Sequence, residues 1–450
     1  MQRGADELRS GVSLESLRRR ATPVTVALTL CIFGGIITEI VANSQILALY
    51  GPSMLLVVYP ISGVAMLLLA LVQFRFVDQY ARLRVLRVSA FAYALIFVLA
   101  FVIMATQDNS MLGIGTVWLL ADQLTVVLPL LLWSLAADEF NAGEARKVFS
   151  WIASWTVAAS ALGPLVALIA APLLGALALP LPTLLVVGPI VCVTIGVWLP
   201  RSLRGSAAGR GLVRPERLGD SMRSAWQFVN GVPVWRLLLL MSALTFSAGF
   251  VIHLGFMIDV TDLIGPDAYD LQVLFASVAL AGFAISWLIQ RLVANRIQDA
   301  RGIPAMIMVL PLAAVVAGIV LALGSIVGSI AVLAVAISIW RIPRYTVSAN
   351  ARRTALTLIP DERRARVAFL VELLPLALGY LLASPIAFTG IRLNAMWIPA
   401  LIASVLAVAA IPYALRMVRG WDDGLLNPRL RRRKRDHVDT SQDAPPPLEG

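Results

Sequence analysis

Six ionisable side chains stand inside long apolar runs of this sequence, where charged residues are otherwise rare. In chain order they are Glu39, Asp122, His253, Arg341, Arg344 and Glu372. An ionisable group inside a bilayer is costly, so each one is a candidate for binding, ion coupling or gating. The sequence contains no phosphate-binding loop, nucleophile motif or cluster of metal ligands. We therefore expect no cofactor, no metal and no enzymatic reaction.

Asp122 and Glu39 are the acidic candidates. Asp122 lies roughly midway along an apolar run, beside Gln123, and suits a group that binds and releases a proton. The alternative is a structural hydrogen bond between helices. Glu39 precedes Asn43 by four residues, so both lie on one helix face. Glu39 could bind a cation or a proton, close an outer gate by pairing across a cavity, or reach water at the outer end.

The remaining candidates are Arg341, Arg344, His253 and Glu372. The two arginines are three residues apart and share a face, and guanidinium groups match carboxylates and phosphates, which favours an anionic substrate. Alternatively they extend towards lipid headgroups, which is easier for Arg344. His253 is either a proton relay or a hydrogen-bonded packing residue. Glu372 follows an arginine-rich segment, which predicts a salt bridge at an inner gate.

The composition places these residues in a membrane. The chain is 59% hydrophobic and only 14% charged, with a mean hydropathy of +0.84, whereas soluble domains carry about 25% charged residues. A membrane-spanning helix needs about 20 apolar residues, and the apolar runs predict twelve. The predicted helices occupy residues 23–48, 52–74, 85–106, 112–135, 147–171, 181–200, 235–258, 270–292, 303–323, 326–347, 367–388 and 393–416.

The distribution of charge predicts the orientation. Arginines concentrate in alternate loops and at both termini, while the other loops carry mainly aspartates, with Arg392 as the exception. Because cytoplasmic loops are rich in Lys and Arg, we expect both termini in the cytoplasm of a bacterium and the chain in its inner membrane. The first helix is expected to be retained as a signal anchor. The net charge of +11 then marks inner helix ends, so no nucleic-acid partner is expected.

The chain divides into two similar halves. Residues 1–21 are predicted to be a cytoplasmic segment, 22–200 and 235–416 two six-helix bundles, 201–234 a basic linker, and 417–450 a basic disordered tail. The loops that begin at Gln73 and Gln290 align without a gap, and EARKVF (144–149) aligns with RARVAF (364–369). These matches predict an internal repeat, and an all-α membrane protein with 12 transmembrane helices in two pseudo-symmetric bundles.

Two sets of motifs carry a family resemblance. The stretch VDQYARLRVL (77–86) resembles a degenerate loop signature of the major facilitator superfamily, which implies an inner latch at Asp78 and Arg82. WSLAADEFNAGEARKVFSWIASW (133–155) and RYTVSANARRTALTLIPDERRARVAF (344–369) are similar to segments of the ATP/ADP translocase family and its bacterial relatives. Those translocases carry basic residues in their first helix, whereas this chain has Glu39 there, which argues against a nucleotide.

The resemblance implies a secondary active transporter that moves a small polar or anionic metabolite by alternating access, with a proton or another ion as a candidate coupling partner. An ATP/ADP-type nucleotide exchanger is one alternative. A non-transporting scaffold or sensor with the same fold is another. The expected partners are a small-molecule substrate and the lipid bilayer, and the oligomeric state stays open.

Overall fold

The computed structural model describes most of the chain as helix. The described residues are 14–77, 81–107, 110–140, 142–203, 218–292, 294–356, 359 and 366–421. They contain twelve helices that are long and apolar enough to cross a membrane, as the sequence predicts. Because a lipid-exposed backbone must satisfy its own hydrogen bonds, a chain with this many apolar runs folds as helices.

Helices α1 to α6 form the N-terminal bundle. They are α1 Leu14–Tyr50, α2 Leu55–Val77, α3 Arg82–Thr106, α4 Met111–Asp122 with Gln123–Val127 and Leu128–Glu139, α5 Ala142–Ala176, and α6 Leu181–Val186 with Val187–Ser202. Helices α7 to α12 form the C-terminal bundle. They are α7 Pro233–Ile264, α8 Ala268–Leu292, α9 Ala294–Val327, α10 Ile330–Tyr345 with Val347–Leu356, α11 Phe369–Leu373 with Leu374–Leu393, and α12 Trp397–Arg419.

The two ends of the molecule differ in charge. One end carries Arg18–Arg20, Arg84 and Arg201, and we name it the basic end. The opposite end carries Asp262 and Asp267, and we name it the acidic end. Short connections make successive helices run in opposite directions, so α1 and α7 both start at the basic end.

Several helices depart from the predicted ranges; α9, for example, begins at Ala294 rather than at residue 303. Helix α1 begins at Leu14 rather than at residue 23, so its first turns lie before the apolar run. Helix α10 breaks at Thr346 and continues as Val347–Leu356, which brings part of the arginine-rich loop into the helix. Within the linker, Leu218–Gly231 is helical, and we name it the linker helix. Residues 204–217 lie outside the described part of the chain.

Proline produces a wide turn in α4 and another in α11. Each of Gln123–Val127 and Phe369–Leu373 is a π-helical turn, in which the N–H of the following residue binds the carbonyl five residues back. Pro129 and Pro375 lack an N–H and clash with the carbonyl four residues earlier, which lies inside the turn in both cases. Such turns are frequent at functional sites, and both of these lie beside the cavity described below.

The packing repeats between the bundles. Helix α1 packs on α5 and α6 as α7 packs on α11 and α12, and α3 packs on α4 and α6 as α9 packs on α10 and α12. The turn between the first two helices of each bundle is also shared. Gly51 and Gly265 both adopt positive φ angles, 74° and 98°, and each precedes a proline. Glycine adopts this conformation without steric cost, so the same turn chemistry closes both hairpins.

The bundles meet along two equivalent seams. Helix α5 packs against α8, and α2 packs against α11, so each half contributes the same pair of positions. Gly63 of α2 allows close approach in the second seam, because a Cβ there would lie 2.9 Å from the Ala377 carbonyl oxygen. The remaining faces of the bundles enclose the central cavity.

Candidate binding cavity between the bundles

A cavity lies between the two bundles, from the middle of the molecule to the basic end. Its empty volume, which includes the space that opens to solvent, is about 1850 Å³. The ionisable side chains on its wall are Glu39, Arg82, Asp122, His253, Arg341, Arg344, Arg352, Arg353 and Glu372. Four of the six candidates are isolated in the sequence and the other two, Arg341 and Arg344, are three residues apart, and folding brings all six to the same cavity.

Aromatic rings close the cavity towards the acidic end. Tyr59 and Trp118 of the N-terminal bundle pack against Phe250 and Tyr380 of the C-terminal bundle. The Tyr59 and Tyr380 ring centroids are 5.1 Å apart, and those of Phe250 and Tyr380 are 4.0 Å apart. We name these four residues the aromatic plug. Aromatic pairs contribute about 0.5–1.5 kcal/mol each beyond their buried area, so the plug is a stable closure.

Asp122 is tied to both bundles. Its carboxyl group accepts a hydrogen bond from Ser62 on α2 and another from the Tyr380 hydroxyl on α11, the latter at 2.7 Å. The side chain is buried, with 7% of its surface exposed. The hydrogen bond predicted as the structural alternative for Asp122 is therefore present, and it crosses the interface between the bundles.

His253 links the N-terminal bundle to Arg341. Its Nε2 lies 2.8 Å from an Arg341 Nη2, and its Nδ1 lies 3.2 Å from the Tyr59 hydroxyl oxygen. A guanidinium can only donate, so Nε2 is the acceptor and neutral His253 carries its proton on Nδ1. The imidazole then donates to Tyr59, which makes a second polar link across the bundles.

Arg341 and Arg344 both line the cavity rather than the lipid. Arg344 has its guanidinium carbon 5.1 Å from the Phe250 ring centroid and 5.5 Å from that of Phe246. Neither arginine forms an ion pair with any described residue. Aromatic faces favour a guanidinium and hold its orientation, while the N–H groups at its edge stay available to an anion.

Glu39 faces the same space from α1. It is partly buried and lines the cavity, and it has no hydrogen bond or ion pair to another described residue. Glu39 and Arg344 both act electrostatically on Asp122, so the three charges lie in one neighbourhood. The deep part of the cavity thus contains an acid from one bundle and a base from the other, neither bonded to a neighbouring side chain.

The basic end of the cavity is lined by arginines that are held in place. Arg352 bonds to Glu372 at 3.3 Å and to the Ser348 hydroxyl at 2.6 Å. The salt bridge predicted for Glu372 is therefore present, although both partners belong to the C-terminal bundle. Arg353 lies 4.5 Å from the Trp133 ring centroid on α4, which is a contact between the bundles.

Of the other predicted residues, Asn43 and Gln123 do not line the cavity, whereas Arg82 does. Asn43 is buried and accepts a hydrogen bond of 2.6 Å from Trp118 Nε1. Gln123 is buried and accepts one from the Tyr93 hydroxyl inside the N-terminal bundle. Arg82 lines the mouth of the cavity and donates to the Ser134 carbonyl. Asp78, the predicted partner of Arg82, lies outside the described residues.

Sequence reasoning did not find the aromatic plug or Arg353. Tyr59, Phe250 and Tyr380 look like ordinary apolar positions in their runs, and only their meeting across the bundles gives them a role. Arg353 was grouped with the arginines of a loop. Arg341, Arg344 and Glu372 each lie within one helical turn of an aromatic residue, but Arg352 and Arg353 do not, so this spacing does not identify Arg353.

Comparisons with known proteins give the fold. No protein-family model matches the sequence, and no curated protein is significantly similar to it. Solved structures do match. A bacterial homologue of the iron transporter ferroportin in its outward-facing state is 16% identical, with a TM-score of 0.60 over 88% of this chain and 99% of that one. The nucleoside transporter NupG and the human organic anion transporter MFSD10 also align at TM-scores of 0.60, with 11% and 15% identity.

The alignments with NupG and MFSD10 span 89% and 87% of this chain and 99% of each neighbour. The fold is that of major facilitator-type transporters. Identities this low establish the fold but do not show that this chain shares the substrates of these neighbours. The narrower similarity to ATP/ADP translocases stays a prediction.

Proposed function

We propose that this major facilitator-type protein is a secondary transporter that moves a small polar or anionic metabolite by alternating access. The observation that carries this is the pair Arg341 and Arg344, which line an interface cavity without an ion-pair partner among the described residues. The cavity reaches the basic end and is closed by the aromatic plug at the other, as expected for one of two alternating states. The indole N–H groups of Trp133 and Trp340, buried without an acceptor in the described part of the chain, also favour a ligand rich in acceptors.

An ATP/ADP-type nucleotide exchanger is the second candidate. It requires at least two basic residues on the cavity wall, and Arg341 and Arg344 meet that requirement. Glu39 on α1 opposes it, because a carboxylate repels a polyphosphate. The same charges support a smaller anion, which needs fewer cationic partners.

Proton coupling belongs to the same proposal and rests on Asp122. Its bonds to Ser62 and Tyr380 join two helices of opposite bundles, so a change in its protonation would act on the contact that closes the acidic end. We expect Asp122→Asn to abolish substrate accumulation driven by a pH gradient while leaving substrate exchange. Equal loss of both activities would instead assign Asp122 a structural role.

The orientation and membrane are proposed from charge. Because arginines concentrate at the end that carries both described termini, we infer that this end faces the cytoplasm of a bacterial cell. Reporter fusions at each terminus of the full chain test the assignment. A periplasmic readout at either terminus would reverse it.

The function is tested by counterflow into proteoliposomes. The vesicles are preloaded with a defined pool of nucleotides, organic acids, sugar phosphates and amino acids, and labelled ATP and ADP are offered first, followed by other members of the pool. We expect uptake by the wild type and its loss in Arg344→Gln. Arg236→Gln, an exposed arginine of α7 outside the cavity, is the matched control and keeps full uptake.

The alternative of a non-transporting scaffold makes the opposite prediction. Folded wild-type protein would then take up no member of the pool. In that case, changes at Glu39, Asp122 or Arg341 would leave the cellular role intact, and changes in the linker (201–234) or the tail would abolish it.

A further inference from the structure

We propose that the substrate is dipolar: it carries a cationic amine-type group that binds Glu39 and an anionic group that binds Arg344. This rests on the proposed function and narrows its substrate class. Glu39 belongs to α1 and Arg344 to α10, so one substrate molecule would join the two bundles through its two charged groups.

Glu39 is identified by comparing the acids of the cavity. Asp122 already accepts hydrogen bonds from Ser62 and Tyr380. Glu372 is paired with Arg352. Glu39 alone of the three has no hydrogen bond or ion pair to another described residue, although it lines the cavity. It is therefore the carboxylate available to a bound cation.

Arg344 is identified in the same way among the bases. Arg352 is bonded to Glu372, and Arg341 is bonded to His253. Arg353 lies at the mouth, against Trp133. Arg344 lies deeper, against Phe250 of the aromatic plug and Trp340, and forms no hydrogen bond or ion pair with another described residue. Its guanidinium is held in orientation and has free donors for a carboxylate.

The two groups act on the same small region. Glu39 and Arg344 line the same cavity together with Asp122 and Arg341, and Arg344 lies against Phe250 of the aromatic plug. An anion would bind Arg344 but would be repelled by Glu39. A cation would bind Glu39 but would be repelled by Arg344. A molecule with both charges satisfies both at once, and unpaired charges in a site of low dielectric are the costly alternative.

The test compares molecules that differ in one charged group. Purified full-length protein is heated with matched triplets: an amino acid, its analogue without the amine, and its analogue without the carboxylate. One triplet is phenylalanine, 3-phenylpropionate and 2-phenylethylamine, another is leucine, 4-methylpentanoate and 3-methylbutylamine, and a third is γ-aminobutyrate, butyrate and propylamine. A ligand that binds only the folded state raises the unfolding midpoint, and the rise grows with the logarithm of the ratio of ligand concentration to Kd.

We expect the amino acid of at least one triplet to raise the unfolding midpoint, and its single-charge analogues to bind about tenfold more weakly or worse. Glu39→Gln should lower the affinity for the amino acid and remove its advantage over the analogue without the amine. A residue with a purely structural role would weaken both ligands alike. Asp270→Asn, an exposed acid at the acidic end, is the matched control and keeps the selectivity.

Three outcomes overturn the inference. They are equal binding of the amine-free analogue by the wild type, unchanged selectivity in Glu39→Gln, and no response to any triplet. None of them overturns transport itself. If the pool assay still shows uptake of a singly charged solute that depends on Arg344, the proposed function stands and only the dipolar substrate fails.

Discussion

The two walls of the cavity share one packing plan but differ in the sign of their deep charges. The N-terminal bundle supplies Glu39 and Asp122, and the C-terminal bundle supplies Arg341 and Arg344 around the same aromatic plug. Asp122 lies on α4 and the two arginines lie on α10, which occupy equivalent places in the two bundles, whereas Glu39 lies on α1, the equivalent of α7. The difference therefore lies in side chains placed on a repeated backbone, which gives the cavity a polarity that the fold alone does not have.

The charges at the mouth of the cavity do not follow this division into an acidic and a basic wall. Arg82 belongs to the acidic wall and Glu372 to the basic wall, but each bonds within its own bundle. Both bonds stabilise the bundle that contains them, and the Arg352–Glu372 pair contributes little field across the cavity. The opposition of charge between bundles is thus confined to the deep site, where attraction through a bound molecule can draw the walls together.

Reversal of the deep charge on one wall should have the largest effect. In Arg344→Glu the basic wall keeps only Arg341 of its two deep arginines and gains a carboxylate, and loss of a desolvated charge pair costs about 2–5 kcal/mol. We expect uptake in proteoliposomes to fall on the order of thirtyfold or more. Arg236→Glu, which changes an exposed charge on the same bundle, should retain uptake. If Arg344→Glu and Arg236→Glu lose uptake equally, the sign of the charge on the cavity wall does not determine uptake.

A second variant separates the contact between the walls from their charge. Gly63→Val places atoms against the Ala377 carbonyl and Tyr380, where a Cβ alone would lie 2.9 and 3.1 Å away. Overpacking costs about 1–3 kcal/mol, which should destabilise the state closed at the acidic end by ten- to a hundredfold. The reporter is a cysteine introduced as Ser160→Cys on the cavity wall, labelled by a membrane-impermeant thiol reagent from each side.

We expect Gly63→Val to make this cysteine reactive from the acidic end. The native Cys31 and Cys192 are both buried, so they give little background. Gly115→Val is the control, since a Cβ at Gly115 would meet only the flexible end of Met111 at 3.6 Å. If Gly63→Val stays unreactive from the acidic end, the α2–α11 seam does not govern closure.

The sequence predicted those features of the two walls that depend on local sequence pattern. Twelve apolar runs, the charge bias of the loops and six isolated ionisable residues each follow from composition and position. The sequence does not show which of these residues contact one another. That Asp122 meets Tyr380 depends on contact between residues 258 positions apart, and nothing near Tyr380 distinguishes it from a packing residue.

Asn43 shows what helical spacing alone does not predict. Its place on the face of Glu39 is a correct inference from helical spacing, but α1 is surrounded by other helices along much of its length, and Trp118 takes the Asn43 side chain into the bundle. Helical spacing predicts which residues share a face. The neighbouring helices decide which part of that face meets the cavity.

The strongest polar link between the walls is the next target. Tyr380→Phe keeps the ring in the aromatic plug and removes the 2.7 Å bond from its hydroxyl to Asp122. Hydrogen bonds between membrane helices contribute up to about 1.7 kcal/mol, so labelling of the Ser160→Cys reporter from the acidic end should rise about tenfold. Tyr413→Phe on α12, away from the cavity, should change nothing. If the labelling rate is unchanged in Tyr380→Phe, the aromatic rings alone close the acidic end.

The weaker polar link should give the smallest effect. Tyr59→Phe also keeps its ring contacts, but it removes the 3.2 Å bond between its hydroxyl and His253. Both partners are uncharged, and an average bond of this kind contributes about 0.6 kcal/mol, which corresponds to roughly a two- to threefold rise in labelling from the acidic end. His253 also positions Arg341, so uptake should fall by a similar factor. A larger effect than that of Tyr380→Phe would place the main connection between the walls at His253 and Arg341, on the basic wall, instead of at Asp122 on the acidic one.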